Sequence, residues 1–304
     1  MKNYTLSLTM LALLLAIIFT GCSQQGSQAA GSDEKVTLKL NPEAGQTFKL
    51  VQKMDQEIST KIMGMSQDIH QVMEFFLQYD VVSPNEETIE MKITYDRIKM
   101  KTESGMLGVL TDYDSDDPDG GGINPLSTAM VKGFNDIIGK SLVAVMDRRG
   151  KIQEIRGLEE FYESVDGDLP PSMNAEGLEK TMQGMIAIFP DAQVGIGDTW
   201  GSQNDLSGEF PLVMTTTYKV ENIDAKTVYL NVEGKIETTE DAVDPESGGK
   251  ISMEGTQEGI TEVDRATGMV LKADYTMEIK GEVEAGPVKA PMEIESTITI
   301  EPYE

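Results

Sequence analysis

Alternation of apolar and polar residues with a period of two, sustained for a dozen or more residues at a stretch, constrains this chain more than any other feature of its sequence. That spacing sends successive side chains to opposite faces of an extended strand. Phe48, Leu50, Met54, Ile58 and Ile62 share one face of the first run, with Lys49, Lys53, Asp55, Glu57 and Lys61 on the other. After a turn at Met63-Gly64-Met65-Ser66, the pattern continues through Ile69, Met73, Phe75, Leu77, Tyr79 and Val81, then through Ile89, Met91, Ile93 and Tyr95. Near the C-terminus Met269, Leu271, Ala273, Tyr275, Met277, Ile279 and Val283 face one way, and Met292, Ile294, Ile298 and Ile300 close the chain. Strands with one wet face belong to antiparallel sheets, and strands this long must curl.

A curled sheet needs a filler for its hollow, and the middle of the chain offers helices. Asn124-Pro125 reads as an N-cap followed by proline at the first helical position, and Leu126, Met130, Phe134, Ile137 and Ile138 follow at helical spacing up to Gly139. A strand pair, Leu142–Met146 and Ile152–Ile155, turns at Arg149-Gly150. Leu158, Phe161, Tyr162 and Val165 suggest a second helix, and Leu178, Met182, Met185, Ile186 and Phe189 a third. The order strands, helices, strands predicts an α+β fold: a long curved antiparallel sheet or half-barrel packed on central helices, with two β-rich halves flanking a helical middle. The expected divisions are a first β half over 36–112, an acidic loop over 113–123, the helical middle over 124–200 and a second β half over 201–304. Tyr79, Val81, Thr88 and Ile89 are echoed 139 positions later by Tyr218, Val220, Thr227 and Val228, a spacing that fits either duplication or two hairpins of equal turn length.

Asp and Glu outnumber Lys and Arg 52 to 25, a net charge of -27, which excludes nucleic acid as a partner. One Cys and one His in 304 residues exclude disulfide frameworks and Cys/His zinc sites. That one Cys has a specific setting. Lys2 precedes an apolar stretch from Leu6 to Phe19, and Phe19-Thr20-Gly21-Cys22 resembles the bacterial lipobox. The resemblance implies that residues 1–21 are a lipoprotein signal peptide and that Cys22 carries diacylglycerol on sulfur and an acyl chain such as palmitate on its amine. Ser23 in place of Asp implies the outer membrane, with the body facing the periplasm. Residues 22–35, rich in Gln, Gly, Ser and Ala, read as a flexible tether to a single domain over 36–304.

Three clusters invite a chemical reading. Asp112, Asp114 and Asp116, with Asp119 beyond, match the first ligand positions of a calcium loop, although Asp117 stands where such a loop wants Gly and Ile123 where it wants Glu. The alternative is a solvated acidic turn. Met63, Met65 and His70 offer a soft copper(I) donor set, or else a hairpin tip beside an exposed histidine. The chain holds 19 Met against 8 Phe. Met73, Phe75, Met91, Met269, Tyr275 and Met277 lie on the apolar strand faces, where adaptable side chains suit either an irregular core or the wall of a pocket for a lipid or other apolar small molecule. Enzyme chemistry has little footing, because His70 is the sole imidazole and no G-x-S-x-G elbow exists to pair with it.

Tyr113-Asp114-Ser115 before Asn124-Pro125, Gly150-x-Ile152 leading to Gly157, Gly197-Asp198-Thr199-Trp200 and Asp264-Arg265-Ala266-Thr267-Gly268 together resemble an uncharacterised domain-of-unknown-function family of bacterial lipoproteins. The resemblance implies a lipoprotein and supplies no activity. In architecture alone, a curled sheet over helices also looks like periplasmic lipoprotein carriers. The expectation is a non-enzymatic, lipid-anchored envelope protein, without a cofactor, that binds an apolar ligand or serves as a scaffold for a protein partner not identifiable from sequence. The alternative is a calcium-dependent envelope protein using residues 112–119.

Overall fold

The computed structural model describes residues 34–62, 65–122, 125–163, 188–205, 212–239, 242, 250–285 and 288–304. The proposed signal peptide, Cys22 and most of the tether lie outside them, as do Met63 and residues 164–187, which include all of the expected third helix's stripe except Phe189. Residues Asp33 to Glu304 form one compact unit.

The long alternating runs become long strands. A first meander comprises β1 (Thr47–Ile62), β2 (Met65–Pro84), β3 (Thr88–Ser104), β4 (Gly108–Asp114) and β5 (Asp117–Gly122). Next come α1 (Pro125–Ile137), β6 (Ser141–Asp147), β7 (Ile152–Arg156) and α2 (Leu158–Glu163). A second meander comprises β8 (Thr199–Asp205), β9 (Leu212–Ile223), β10 (Thr227–Thr238), β11 (Lys250–Asp264), β12 (Val270–Ala285) and β13 (Val288–Pro302). All belong to one sheet in the order β5-β4-β3-β2-β1-β13-β12-β11-β10-β9-β8, with the β6–β7 hairpin branching from β3. The two meanders meet where β1 pairs antiparallel with β13, from Leu50↔Pro302 to Thr60↔Met292.

The fold is therefore nearly all β, and the expected α+β body with its sheet packed on a helical middle is overturned. α1 forms where the stripe and Pro125 predict a helix, and Gly139 at φ +74 ends it. It packs beside β4 and β5 at one end of the sheet, and the six-residue α2 packs beside β6. The hollow is closed differently. One continuous core joins Ile89 and Met91 of β3 and Leu142 of β6 to Val220 of β9, Leu230 of β10 and Val263 of β11, with Val36, Leu38 and Leu40 from the segment before β1. The curled sheet thus supplies most of both walls of its own core, and Val131, Phe134 and Ile137 of α1 and Phe161 of α2 fill part of it. The expected acidic loop is likewise β structure: β4, a turn at Ser115-Asp116, and β5.

β3 is long enough to carry two neighbours on one edge. Thr88–Thr94 pair with β6, and Lys99–Ser104 with β4. The backbone groups at the fork find other partners. Gly139 N donates to Tyr95 O, Tyr95 N to Lys140 O and Ser115 N to Ile98 O, while Ser115 Oγ accepts from Ile98 N. The echoed hairpins share their turn chemistry: Asn85 Oδ1 accepts from the amides of Glu87 and Thr88, as Asp224 Oδ1 does from those of Lys226 and Thr227.

The paired strands β11 and β12 approach each other closely at Gly259. A Cβ on Gly259 would stand 2.1 Å from Asp274 O and 2.5 Å from the Tyr275 ring, so the strands approach more closely than any side chain at 259 permits. Gly259→Ala is expected to destabilise the fold by about 1–3 kcal/mol through forced backbone separation, read as a lower urea midpoint. An unchanged midpoint would show that the close approach does not depend on the missing side chain.

Candidate apolar binding site

The inner face of the sheet holds a cavity lined by Leu50 and Gln52 of β1, Leu77 and Tyr79 of β2, Met91, Ile93 and Tyr95 of β3, Leu142 and Met146 of β6, and Ile300 of β13. Leu40, Phe189 and the turn Gly268-Met269-Val270 complete the wall. Its empty space is about 950 Å3 with the solvent-open mouth included, so the enclosed part is much smaller. The lining is mostly apolar. Burial pushes the Tyr79 phenol up to about 12 and that of Tyr95 higher still, so both remain neutral hydrogen-bonding groups beside Gln52.

Two segments without regular structure are strapped across the sheet by adjacent arginines in the β6–β7 turn. Leu40 N donates to Arg148 O, and Arg148 Nη1 donates back to Leu40 O at 2.9 Å. Phe189 N donates to Arg149 O, and Arg149 Nε donates to Phe189 O at 2.6 Å while its Nη1 reaches Asp191 at 2.9 Å. Asp147 Oδ1 organises the turn by accepting from the amides of Arg149 and Lys151. The third wall element is the Asp264–Gly268 turn, where Asp264 Oδ1 accepts from Thr267 N and Oγ1 at 2.7 Å. Gly268 at φ +70 would place a Cβ 2.2 Å from Lys39 O, so only glycine lets the Leu40 segment lie against this turn.

The six side chains expected to face a ligand are distributed unevenly. Met91 and Met269 line the cavity. Met73, Phe75 and Tyr275 pack against the same core beyond the cavity wall, and Tyr275 Oη lies 2.5 Å from Thr261 Oγ1. Met277 packs in a second apolar cluster with Ile236, Ile279 and Ile294. Sequence reasoning missed Leu40, Arg148, Arg149, Phe189 and Gly268 as builders of the wall. Their local signals were the turn at Arg149-Gly150, the apolar stripe ending at Phe189 and the Asp264–Gly268 motif, none of which says that these residues meet.

Two of the four carboxylates expected to bind calcium, Asp114 and Asp116, face an arginine instead. Asp114 accepts from Arg97 Nε at 2.8 Å, and Asp116 lies 3.0 Å from Arg97 Nη1. The Arg97 guanidinium holds the Asp114 carboxyl below its usual range. Asp112 is exposed opposite Lys101, and the side chain of Asp119 lies outside the described residues. Among the described residues no group of three or more His, Cys, Asp or Glu is placed to hold a metal ion. His70 stands on the outer face, with Nε2 2.8 Å from Asp55 Oδ1 and Nδ1 3.9 Å from Glu103. Met65 begins β2, and Met63 lies outside the described residues. No helix among the described residues is long and apolar enough to cross a membrane.

Arg149→Ala removes both side-chain bonds to the Phe189 strap and is expected to cost about 1–2 kcal/mol in thermal or urea unfolding; a neutral result would show that the strap stays closed through its other contacts. The hydrogen bond to Asp55, reinforced by the charges of Asp55, Glu57 and Glu103, raises the His70 pKa. Its stabilisation is complete below the unfolded value of about 6.5 and disappears as pH rises through the raised folded value. For so exposed a pair the effect is about 1 kcal/mol or less. As pH rises from about 6 through the raised folded value, the wild type should therefore lose slightly more stability than His70→Gln, and parallel pH profiles would show that the pair contributes nothing.

Two solved structures resemble the chain in outline. A lipovitellin structure concerned with lipid–protein interactions is 10% identical at a TM-score of 0.47, over 86% of this chain and 25% of that one. An outer membrane channel from Pseudomonas putida F1 is 10% identical at a TM-score of 0.25, over 87% and 97%. The chain thus spans about a quarter of the length of the lipovitellin chain, and neither likeness bears on function. No curated protein matches the sequence. A family profile matches residues 86–270, from the start of β3 to the first residue of β12 and across all four motifs that carry the sequence resemblance. The chain belongs to DUF6263, a family of unknown function.

Proposed function

We propose that this is a lipid-anchored envelope protein that binds an apolar ligand, of the size of a lipid chain, in the hollow of its curled sheet. The cavity carries the reading: its mouth is open, and its wall joins strands from both meanders to two strapped segments and a glycine turn. Met91, Met146 and Met269 give that wall unbranched, adaptable side chains, which tolerate ligands of varied shape. The lipobox at Cys22 supports anchoring, and Ser23 supports the outer membrane with the body on the periplasmic side. The role is binding rather than catalysis, because the polar groups in the cavity are an amide and two phenols held neutral.

Native mass spectrometry of the full chain carrying Cys22→Ser, purified from a bacterial envelope without detergent, tests this directly. The expected result is an added mass that disappears on denaturation. Leu50→Trp, which extends a half-buried wall residue into the hollow, should remove the added mass. It should also weaken binding of a naphthylamine fluorophore at least tenfold while leaving the melting temperature within a few degrees. A clean apo mass with no fluorophore binding would turn the assignment to a protein-interaction scaffold.

A further inference from the structure

The inner face of the sheet is layered, and one layer is polar. Across ten consecutive strands from β4 to β8, the residues in register are Thr111, Thr102, Gln71, Gln56, Ser296, Met277, Gln257, Gly234, Thr216 and Ser202. The next row toward the cavity holds Met100, Met73, Met54, Ile298 and Tyr275, and the row on the other side holds Ile69, Ile58, Ile294, Ile279 and Ile236. The polar row thus runs between the main core and the second apolar cluster. Within it, Gln71 Nε2 donates to Thr102 Oγ1 at 3.3 Å. The Gln257 side chain lies over Gly234, where a Cβ would meet its Oε1 at 3.2 Å.

Thr216 and Ser296 are only 1% and 5% exposed, and their hydroxyls have no hydrogen-bond partner among the described residues. The buried Ser202 hydroxyl also makes no bond of normal geometry, although it lies near the Tyr218 phenol. Buried hydroxyls on an interior face are ordinarily satisfied, and leaving them unpaired opposes folding. Here they are aligned at one height, uncharged, with apolar surface above and below.

We infer that the polar row is where the hollow holds the ester group of an uncharged lipid, with one acyl chain directed toward the cavity and another along the isoleucine layer. This deepens the reading of an apolar binding site and rests on it. Hydroxyls donate to an ester carbonyl, which has no donor of its own to satisfy. A plain hydrocarbon would leave the hydroxyls unpaired, and a free carboxylate would find no cation in the row to match its charge. The spacing also fits: the row at Gln56 and Ser296 lies four residues beyond Gln52 and Ile300 at the cavity rim, about 13 Å along the strands. An acyl chain held by its ester at the row reaches the cavity.

The test compares dioctanoylglycerol with its dioctyl ether analogue, which has the same shape and lacks carbonyls, on the full chain carrying Cys22→Ser and on the same chain with Thr216→Val and Ser296→Ala. The wild type should bind the ester about tenfold tighter than the ether, and the double variant should bind both equally, at the ether's affinity. Without ligand the variant should melt at or above the wild-type temperature, because two unpaired hydroxyls have gone. Equal binding of ester and ether by the wild type would overturn the inference while leaving apolar binding intact. A lower melting temperature in the variant would also overturn it, by showing that the row is a structural water layer. Binding of neither lipid would remove the apolar reading itself.

Discussion

The antiparallel seam between β1 and β13 decides whether this chain makes one sheet or two. Each meander is held by hairpins local in sequence, and among the described residues nothing but this seam joins them edge to edge. The paired residues stand more than two hundred positions apart, so the seam carries a loop-closure cost that the hairpins do not. What it returns is continuity of the inner face. Gln52 meets Ile300, Met54 meets Ile298 and Gln56 meets Ser296, so the cavity wall, the methionine layer and the polar row each cross from one meander to the other at the seam. Slipping the register by one residue would turn all of these outward at once.

Curling follows from the seam. A row of eleven strands with one apolar face has too much of that face to leave wet, and the core unites strands from opposite arms of the sheet. Gly259 and Gly268 mark the places where this brings backbones together too closely for a side chain. The outer face takes the charge. Lys53, Glu74, Lys99 and Asp114 lie in register across it, and Arg97 and Lys99 flank the Phe76 ring, which meets Tyr303 edge-on at 5.2 Å. A chain with a net charge of -27 thereby keeps an uncharged interior row.

The sequence made the strands legible and their neighbours illegible. Period two tells which face a side chain takes and nothing about its height along the sheet. For that reason Met91, from β3, and Met269, from the turn before β12, line the cavity, while Met277, expected beside them, lies in a different cluster. The helical stripes at 126–138 and 158–165 were real periodicities. They misled as to fold class because they show that helices enter the core, as Val131, Phe134, Ile137 and Phe161 do, and not how small a share of the body those helices make. The acidic run at 112–119 lacked its partner on paper, since Arg97 comes from the neighbouring strand. The polar row was present as interruptions: the apolar faces skip Gln56, Gln71 and Ser296. Only the pairing register shows that these gaps are one line.

The residues that carry the family resemblance have a common physical task, although they are scattered through the chain. Asp264–Gly268 sets the turn against which Leu40 lies. The turn ending at Gly150 presents Arg148 and Arg149 to Leu40 and Phe189. Gly197–Trp200 ties the start of β8 to the same region, with Trp200 Nε1 donating to Ile188 O at 2.7 Å and its ring stacked 5.3 Å from Tyr218. Tyr113–Ser115 closes the fork in β3, with Tyr113 Oη donating to Asn135 and Ser115 holding Ile98. Each fixes a segment that a curled sheet alone would leave loose, and three of the four do so around the cavity wall. The residues that carry the family resemblance are thus mostly wall-building residues, the part of the fold that the proposed ligand would meet.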